Sequence, residues 1–375
     1  MEVQRVLHMN KGEGEASYAS NSSLQRAVLT KVKPILEETI LDLVGDEAYS
    51  ETEVLCIVDL GCSSSPNSLS VISHIVDTVT AACQRWHRQL PEFQVVLNDL
   101  PGNDFNTIFK SLPSFYDKLK RVNINHGPCF VAGVPGSFHG RLFPRKSMHF
   151  IHSSYSLHYL SQIPKGLVSE EGTPLNKGNT YIASRTPPAV SRAYYEQFKQ
   201  DFYSFLSSCS AEVIARGRAV LTFMGRRTDD PSRDENCVTW KIMSLALNDI
   251  AREGLIEEAQ IDSFNFPYYA PSAAEVRHII LQEGSFSLTR LEGFEIGWEP
   301  NAASDTNRTS SDNLKRATYV SKSVRAVAEP MLSSHFGGSQ IMDALFQKYT
   351  ERIAELYSKE VEPKYYPLVI TLIKK

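Results

Sequence analysis

Apolar side chains recur three or four residues apart at Leu24, Val28, Val32, Leu36, Ile40 and Leu43, a spacing that paints one face of a helix. Ser22 and Ser23 stand where a helix start wants capping residues, and Pro34 predicts a kink. The period then changes. VLCIVDL (54–60) is a short, nearly continuous apolar run followed by Gly61, the pattern of a strand buried on both faces of a parallel sheet. FQVVLND (93–99), CFVAGV (129–134), MHFIHSS (148–154) and AVLTFMG (219–225) repeat it, with helical patterns over 191–206 and 238–250. Strands alternating with helices predict an α/β fold with a doubly wound, Rossmann-like parallel sheet. In such sheets ligands bind beyond the carboxyl ends of the strands, so the residues trailing each run are the candidates for chemistry.

From about 254 to 335 the alternation loosens into helical and irregular sequence, read as a mostly helical cap. It includes the Asn/Ser/Asp/Thr-rich stretch 301–313, which buries too little apolar area to order itself. YYPLVITLIK (365–374) predicts a terminal strand that returns to the sheet.

Composition narrows the class. A chain of 375 residues, 42% hydrophobic, has room for a sizeable core, and no apolar run approaches the roughly 18–20 residues that cross a bilayer. The N-terminus MEVQRVLHMNKGEGE lacks a signal-peptide layout and is too acidic for a transit peptide, so a cytoplasmic location is expected. Six scattered cysteines, with no CxxC pair, suggest reduced thiols rather than a disulfide framework or a zinc site. In that compartment the sequons at Asn21 and Asn307 are chance matches. A formal net charge of −4 argues against a nucleic-acid or anionic-membrane binder.

The chemistry-bearing residues trail the strands. Asp59-Leu60-Gly61-Cys62-Ser63-Ser64-Ser65-Pro66-Asn67 is a strand end, a tight turn and a helix start, whose backbone N–H groups can cradle a nucleotide-like ligand. The G-x-G-x-x-G dinucleotide pattern is absent. The second run ends in Asn98 and Asp99, a carboxylate able to accept both hydroxyls of a ribose, and the third ends in Val134-Pro135-Gly136-Ser137-Phe138, a hydroxyl and an aromatic face for an adenine. Glycine, carboxylate and hydroxyl-aromatic groups on three consecutive strand ends favour an adenosine-type cofactor over an ordinary turn.

LHMNKGEGEASYASNSSLQ, DLGCSSSPN, LNDLPGNDFN, VPGSFHGRLFP, HSSYSLHYLSQ, DSFNFPYYAPS and VRAVAEPML resemble, in order and spacing, the successive motifs of the plant SABATH carboxyl methyltransferases. The similarity runs nearly end to end. It implies an S-adenosyl-methionine-binding α/β domain with an N-terminal lid segment over 1–254, a helical cap over 255–345, and a terminal helix and strand over 346–375. It implies that the cofactor is contacted by Tyr18, Cys62, Asn67, Asp99, Leu100, Ser137 and Phe138, with Asp59 close by. Gln25 and the His158–Tyr159 pair are implied to face the acceptor, with Tyr155 on the same wall and His158 shaping specificity rather than acting as a base. Phe266, Tyr268 and Tyr269 extend this wall in the cap motif. The resemblance further implies a homodimer, and a divalent site formed by Asn176, Asp262, the Phe264 carbonyl and Asn265, an all-oxygen set suited to Mg²⁺.

Three positions depart from the family pattern: Tyr159 replaces a usual Trp, Ser65 a usual Gly, and His139 a common Tyr. A phenol still donates to a carboxylate, whereas Ser65 would cost roughly a kcal/mol if the turn required a positive φ there. A carboxylic acid of pKa about 4 arrives ionised, so no general base is needed and alignment supplies the acceleration. The expected reaction is in-line methylation of a small hydrophobic acid to its ester. The alternatives are N-methylation of a xanthine, which Tyr159 keeps open, and an inactive ligand-binding protein with Ser65 as its lesion.

Overall fold

The computed structural model describes residues 2–49, 52–122, 127–299 and 310–375. The strands are β1 (Val54–Leu60), β2 (Glu92–Asp99), β3 (Cys129–Pro135), β4 (Met148–Ser154), β5 (Val213–Gly225), β6 (Phe286–Gly293), the two-residue β7 (Ile296–Gly297) and β8 (Lys364–Lys374). Their order in the sheet is β3-β2-β1-β4-β5-β8-β6, with β7 against β8. Strands β1 to β5 run parallel, as the alternation predicts, whereas β8 runs antiparallel to both β5 and β6.

The continuous apolar runs have a simple cause. Leu55 and Ile57 of β1, with Val95 and Leu97 of β2, belong to one core, while Val58, Leu60 and Val96 belong to the other. Successive side chains point to opposite faces, so both sets must be apolar when both faces are covered. Behind the short α1 (Val3–Val6) and α2 (Tyr18–Asn21), helices α3 (Ser23–Gly45), α4 (Pro66–Arg85) and α5 (Phe105–Val122) cover the first face. Helices α6 (Pro188–Glu212), α7 (Asp234–Arg252), α8 (Glu258–Ser263), α9 (Ala273–Glu283), α10 (Ser310–Phe336) and α11 (Ser339–Ser358) build the second core. The six apolar positions that predicted α3 are all buried, and Pro34 lies inside one uninterrupted helix.

Three segments differ from expectation. β5 starts at Val213 rather than 219, because Arg218 is 2% exposed and ion-paired to Asp42 on α3 and to Asp46, which caps its C-terminus; a charge neutralised by a partner from elsewhere in the chain reads locally as loop. The cap segment contributes β6 to the sheet edge. Leu288 pairs with Leu372 and Arg290 with Thr371, leaving Thr289 as a bulge. That extra residue shifts the apolar positions from Phe286 and Leu288 to Leu291, which disguises the period-two pattern. A boundary after 345 would also cut α11. Residues 301–309 of the polar stretch lie outside the described residues, and 310–313 already belong to α10.

Candidate active site

The strand order reverses between β1 and β4, and a cavity of about 150 Å³ opens beyond the strand ends at this switch point. Its floor is built by backbone geometry. Gly61 adopts φ 80, and a Cβ there would stand 2.3 Å from the Ser156 Cβ, so only glycine fits. The N–H groups of Gly61 and Cys62 both donate to the Asn98 carbonyl at 2.9 Å. The Asn98 amide in turn donates to the Val134 and Gly136 carbonyls at 2.9 Å. The ends of β1, β2 and β3 are thereby locked into one rim.

Asp99 stands on that rim. Its two carboxylate oxygens accept from the N–H groups of Ser63 and Leu100, each at 2.7 Å. Burial nevertheless raises its pKa to about 6, against the lowering effect of those two bonds. Tyr18, Leu100, Ser137 and Phe138 line the cavity beside it. Three residues expected with them do not. Asp59 is buried behind the turn, accepting from the Ser68 hydroxyl and meeting His152 Nδ1 at 2.7 Å. The Cys62 thiol is buried in the first core, and burial pushes its pKa up. Asn67 fastens the start of α3: its amide donates to the Ser22 carbonyl and hydroxyl at 3.1 Å and its oxygen accepts from Arg26 Nε at 3.2 Å. Asn67 therefore bears on Gln25, one position before Arg26, rather than on the cavity itself.

Gln25, Tyr155, His158 and Tyr159 all line the same cavity. Tyr155 takes φ 61 at the end of β4, held by its N–H bond to the Thr222 carbonyl at 2.8 Å. His158 Nδ1 accepts the Met224 N–H at 3.2 Å, and burial lowers the ring's pKa to about 3. The imidazole is thus neutral with its proton on Nε2, a donor rather than a base. Burial raises the Tyr159 phenol pKa, so it too stays a donor. Tyr268 packs on both, with ring centroids 5.2 Å from His158 and 6.3 Å from Tyr159.

The other aromatic residues of the cap motif stand behind this wall. Phe266 is wholly buried and stacks on Trp240 at 4.0 Å, and Tyr269 directs its hydroxyl to Arg226 and Glu275. Trp240 itself lines the cavity, as do Trp298, Tyr365 and, from α10, Val320, Val324 and Val327. Sequence reasoning missed these six because none lies in a strand-trailing motif. The signals available were the two tryptophans, rare in this chain, and the VRAVAEPML motif that holds Val324 and Val327.

The implied metal ligands meet in a loop junction, where one side-chain oxygen each of Asn176, Asp262 and Asn265 is engaged in a hydrogen bond. Asn176 Oδ1 accepts from the Thr186 hydroxyl at 3.0 Å, Asp262 Oδ1 from the Gly178 N–H at 2.7 Å, and Asn265 Oδ1 from the Asn176 amide at 3.3 Å. An amide N–H turned into the centre of the group, and a single carboxylate, fit a hydrogen-bonded clasp and not a cation cage. Turnover is accordingly expected to be the same before and after exhaustive chelation with EDTA; a loss restored by Mg²⁺ would contradict this.

Ser65 is not a lesion. Its φ is −93 and its ψ 159, and as N-cap of α4 its hydroxyl accepts the Asn67 N–H at 3.3 Å. The left-handed residues of the turn are Gly61 and Ser63 instead. Serine is a favoured residue at an N-cap. Ser65→Ala is expected to cost about 1 kcal/mol of stability, read as a lower denaturant midpoint, while Ser65→Gly costs only a few tenths.

The family described as SAM dependent carboxyl methyltransferase matches residues 4–375. The chain belongs to that family. "Probable jasmonic acid carboxyl methyltransferase 2" of Theobroma cacao is 52% identical over 377 residues, covering 100% of both chains. A Petunia hybrida benzoic acid/salicylic acid carboxyl methyltransferase is 45% identical, covering 100% of this chain and 99% of its own. Among solved structures, loganic acid methyltransferase with SAH superposes with a TM-score of 0.83 at 30% identity, covering 98% of each chain. S-adenosyl-methionine is accordingly the cofactor of this carboxyl methyltransferase.

Proposed function

We propose that this carboxyl methyltransferase esterifies a small hydrophobic acid, with acids of the jasmonate type first and benzoate or salicylate types next. The observation that carries the reading is a set of neutral donors, Gln25, His158 and Tyr159, lining one cavity with the cofactor rim, the His158 Nδ1 lone pair being already taken by the Met224 N–H. Neutral donors suit a nucleophile that is already ionised at neutral pH. The sulfonium of S-adenosyl-methionine supplies an electrophilic methyl group. Tyr18, Asp99, Leu100, Ser137 and Phe138 hold the adenosyl end, while Asp59, Cys62 and Asn67 support the turn from behind. Gln25, His158 and Tyr159 grip the acceptor carboxylate and orient one oxygen, and Tyr155, Tyr268 and Trp240 exclude water around it.

His158 carries a second consequence. Its folded pKa, about 3, lies below the unfolded value near 6.5, so the neutral ring contributes stability that is fully present above pH ~6.5 and lost as pH falls toward 3, up to about 5 kcal/mol. A His158→Gln variant is expected to lose less thermal stability between pH 7 and pH 5 than the parent. Equal losses would contradict the buried neutral ring.

Methyl transfer from labelled cofactor to jasmonate, benzoate, salicylate, nicotinate and xanthines tests the function. An alkali-labile product is the expected ester; an alkali-stable product would identify an N-methyltransferase and overturn the reading. The junction of Asn176, Asp262, Phe264 and Asn265 acts in this reading as a structural clasp. A homodimer in the cytoplasm completes it: light scattering should report twice the 42.0 kDa chain mass. Among the described residues no helix is long and apolar enough to cross a membrane.

A further inference from the structure

Several buried polar atoms on residues lining the cavity have no hydrogen-bond partner among the described residues: Gln25 Oε1, Ser63 Oγ, Ser154 Oγ, Tyr155 Oη and Trp298 Nε1. A buried donor left unpaired costs free energy that a bound ligand recovers. Trp298 is the odd member. It lies outside the strand-trailing turns, directly after β7, and is 3% exposed. Its indole stacks on Tyr365 with centroids 5.5 Å apart and planes at 26°. Tyr365 in turn accepts from the Thr239 hydroxyl at 3.4 Å, beside Trp240, whose ring lies 5.5 Å from Tyr268, the ring that packs on His158 and Tyr159. Trp298 therefore joins the aromatic wall that holds His158 and Tyr159. An indole N–H only donates, and α10 lines the cavity with Val320, Val324, Val327 and Ser323, whose hydroxyl is already spent on the Tyr319 carbonyl at 3.2 Å. A buried donor without a partner on this wall selects for a ligand atom that accepts.

We propose that Trp298 is a specificity-determining residue: its Nε1–H donates to a second oxygen of the acceptor, a carbonyl or hydroxyl remote from the carboxylate that is methylated. The preferred acceptors are then oxo- or hydroxy-substituted hydrophobic acids, and plain aryl or alkyl acids bind more weakly. This deepens the carboxyl-transfer reading and rests on it for which end of the acid is the nucleophile. The stack on Tyr365 fixes the indole plane, so the N–H is held in place before the ligand arrives.

The test measures binding of jasmonate, and of the same acid with its ring carbonyl reduced to CH₂, to protein saturated with demethylated cofactor. The parent is expected to favour the oxo-acid by about tenfold or more. In Trp298→Phe, which keeps a ring against Tyr365 and removes the N–H, that preference should collapse toward unity. Cofactor affinity and melting temperature report whether the variant folds. A second reading uses the parent alone: of the indole N–H resonances of the 3 tryptophans, the Trp298 signal should move downfield with the oxo-acid and not with its deoxo analogue. Trp86→Phe and Trp240→Phe assign it by elimination. A parent that binds both acids equally, or a preference that survives in Trp298→Phe, overturns the proposal. An oxygen-dependent affinity without ester formation would sustain it while overturning the transfer reading. Ester formation from both acids with no dependence on Trp298 would do the reverse.

Discussion

Asp99→Asn is expected to weaken binding of demethylated cofactor by roughly 10²–10⁴-fold, since two hydrogen bonds to a charged group contribute about 1.5–3 kcal/mol each. The carboxylate already accepts from Ser63 and Leu100 and keeps lone pairs for a ribose diol. An asparagine of the same shape turns an NH₂ toward one of those N–H donors and loses an acceptor for the ribose. The pH dependence identifies the group. With a pKa of about 6 in the free protein, Asp99 takes up a proton below that pH, so parent affinity should fall about tenfold per unit while the variant stays flat. Stability moves the other way. A folded pKa raised above the unfolded value near 3.8 means that the ionised group favours unfolding, with the stability present in acid lost as pH rises through 6. Removing the charge recovers up to about 3 kcal/mol at pH 7, offset by the backbone N–H left unpaired. The variant's melting temperature should therefore stay near that of the parent while calorimetry records the lost affinity. A drop in both would mean that Asp99 is structural.

Gln25→Glu is expected to lower kcat/KM for carboxylic acids about 10³-fold at pH 8. It sets a second carboxylate beside the acceptor's own, a repulsion of about 4 kcal/mol at 4 Å in a partly screened site. Gln25 Oε1 is buried without a partner, so a carboxylate introduced at that position finds no donor there. Protonation relieves the clash, and the variant should recover as pH falls, whereas Gln25→Ala, which removes a donor and adds no charge, should not. The pair distinguishes charge from shape. It also separates acceptors: a neutral ring nitrogen would be indifferent to the new charge. Equal losses in both variants at every pH would show that Gln25 only fills space.

The turns at the strand ends were readable in advance because their chemistry is local. Gly61 is dictated by a positive φ and a contact with Ser156, and Asp99 follows its strand directly, so proximity along the chain guarantees proximity in space. Asp59, Cys62 and Asn67, which the family resemblance implied at or near the cofactor, occupy the same motif as the rim yet turn away from the cavity lining, because alternation along a strand and the first turn of a helix send neighbouring side chains opposite ways. Ser65 looked costly only while its φ was unknown; as the N-cap of α4 it is a favourable residue.

What the sequence by itself determined, then, is everything that period and local bond geometry control: five parallel strands, the buried face of α3, the glycine turn and the rim carboxylate of Asp99. The tertiary structure alone decided the rest of the cavity wall. It placed Trp240, Trp298 and Tyr365 on the cavity and Phe266 and Tyr269 behind it, hid Arg218 in an ion pair, and bulged β6 at Thr289. These depend on side chains meeting across tens or hundreds of residues, where no repeating spacing constrains which way each one points and only the packing of the whole chain selects it.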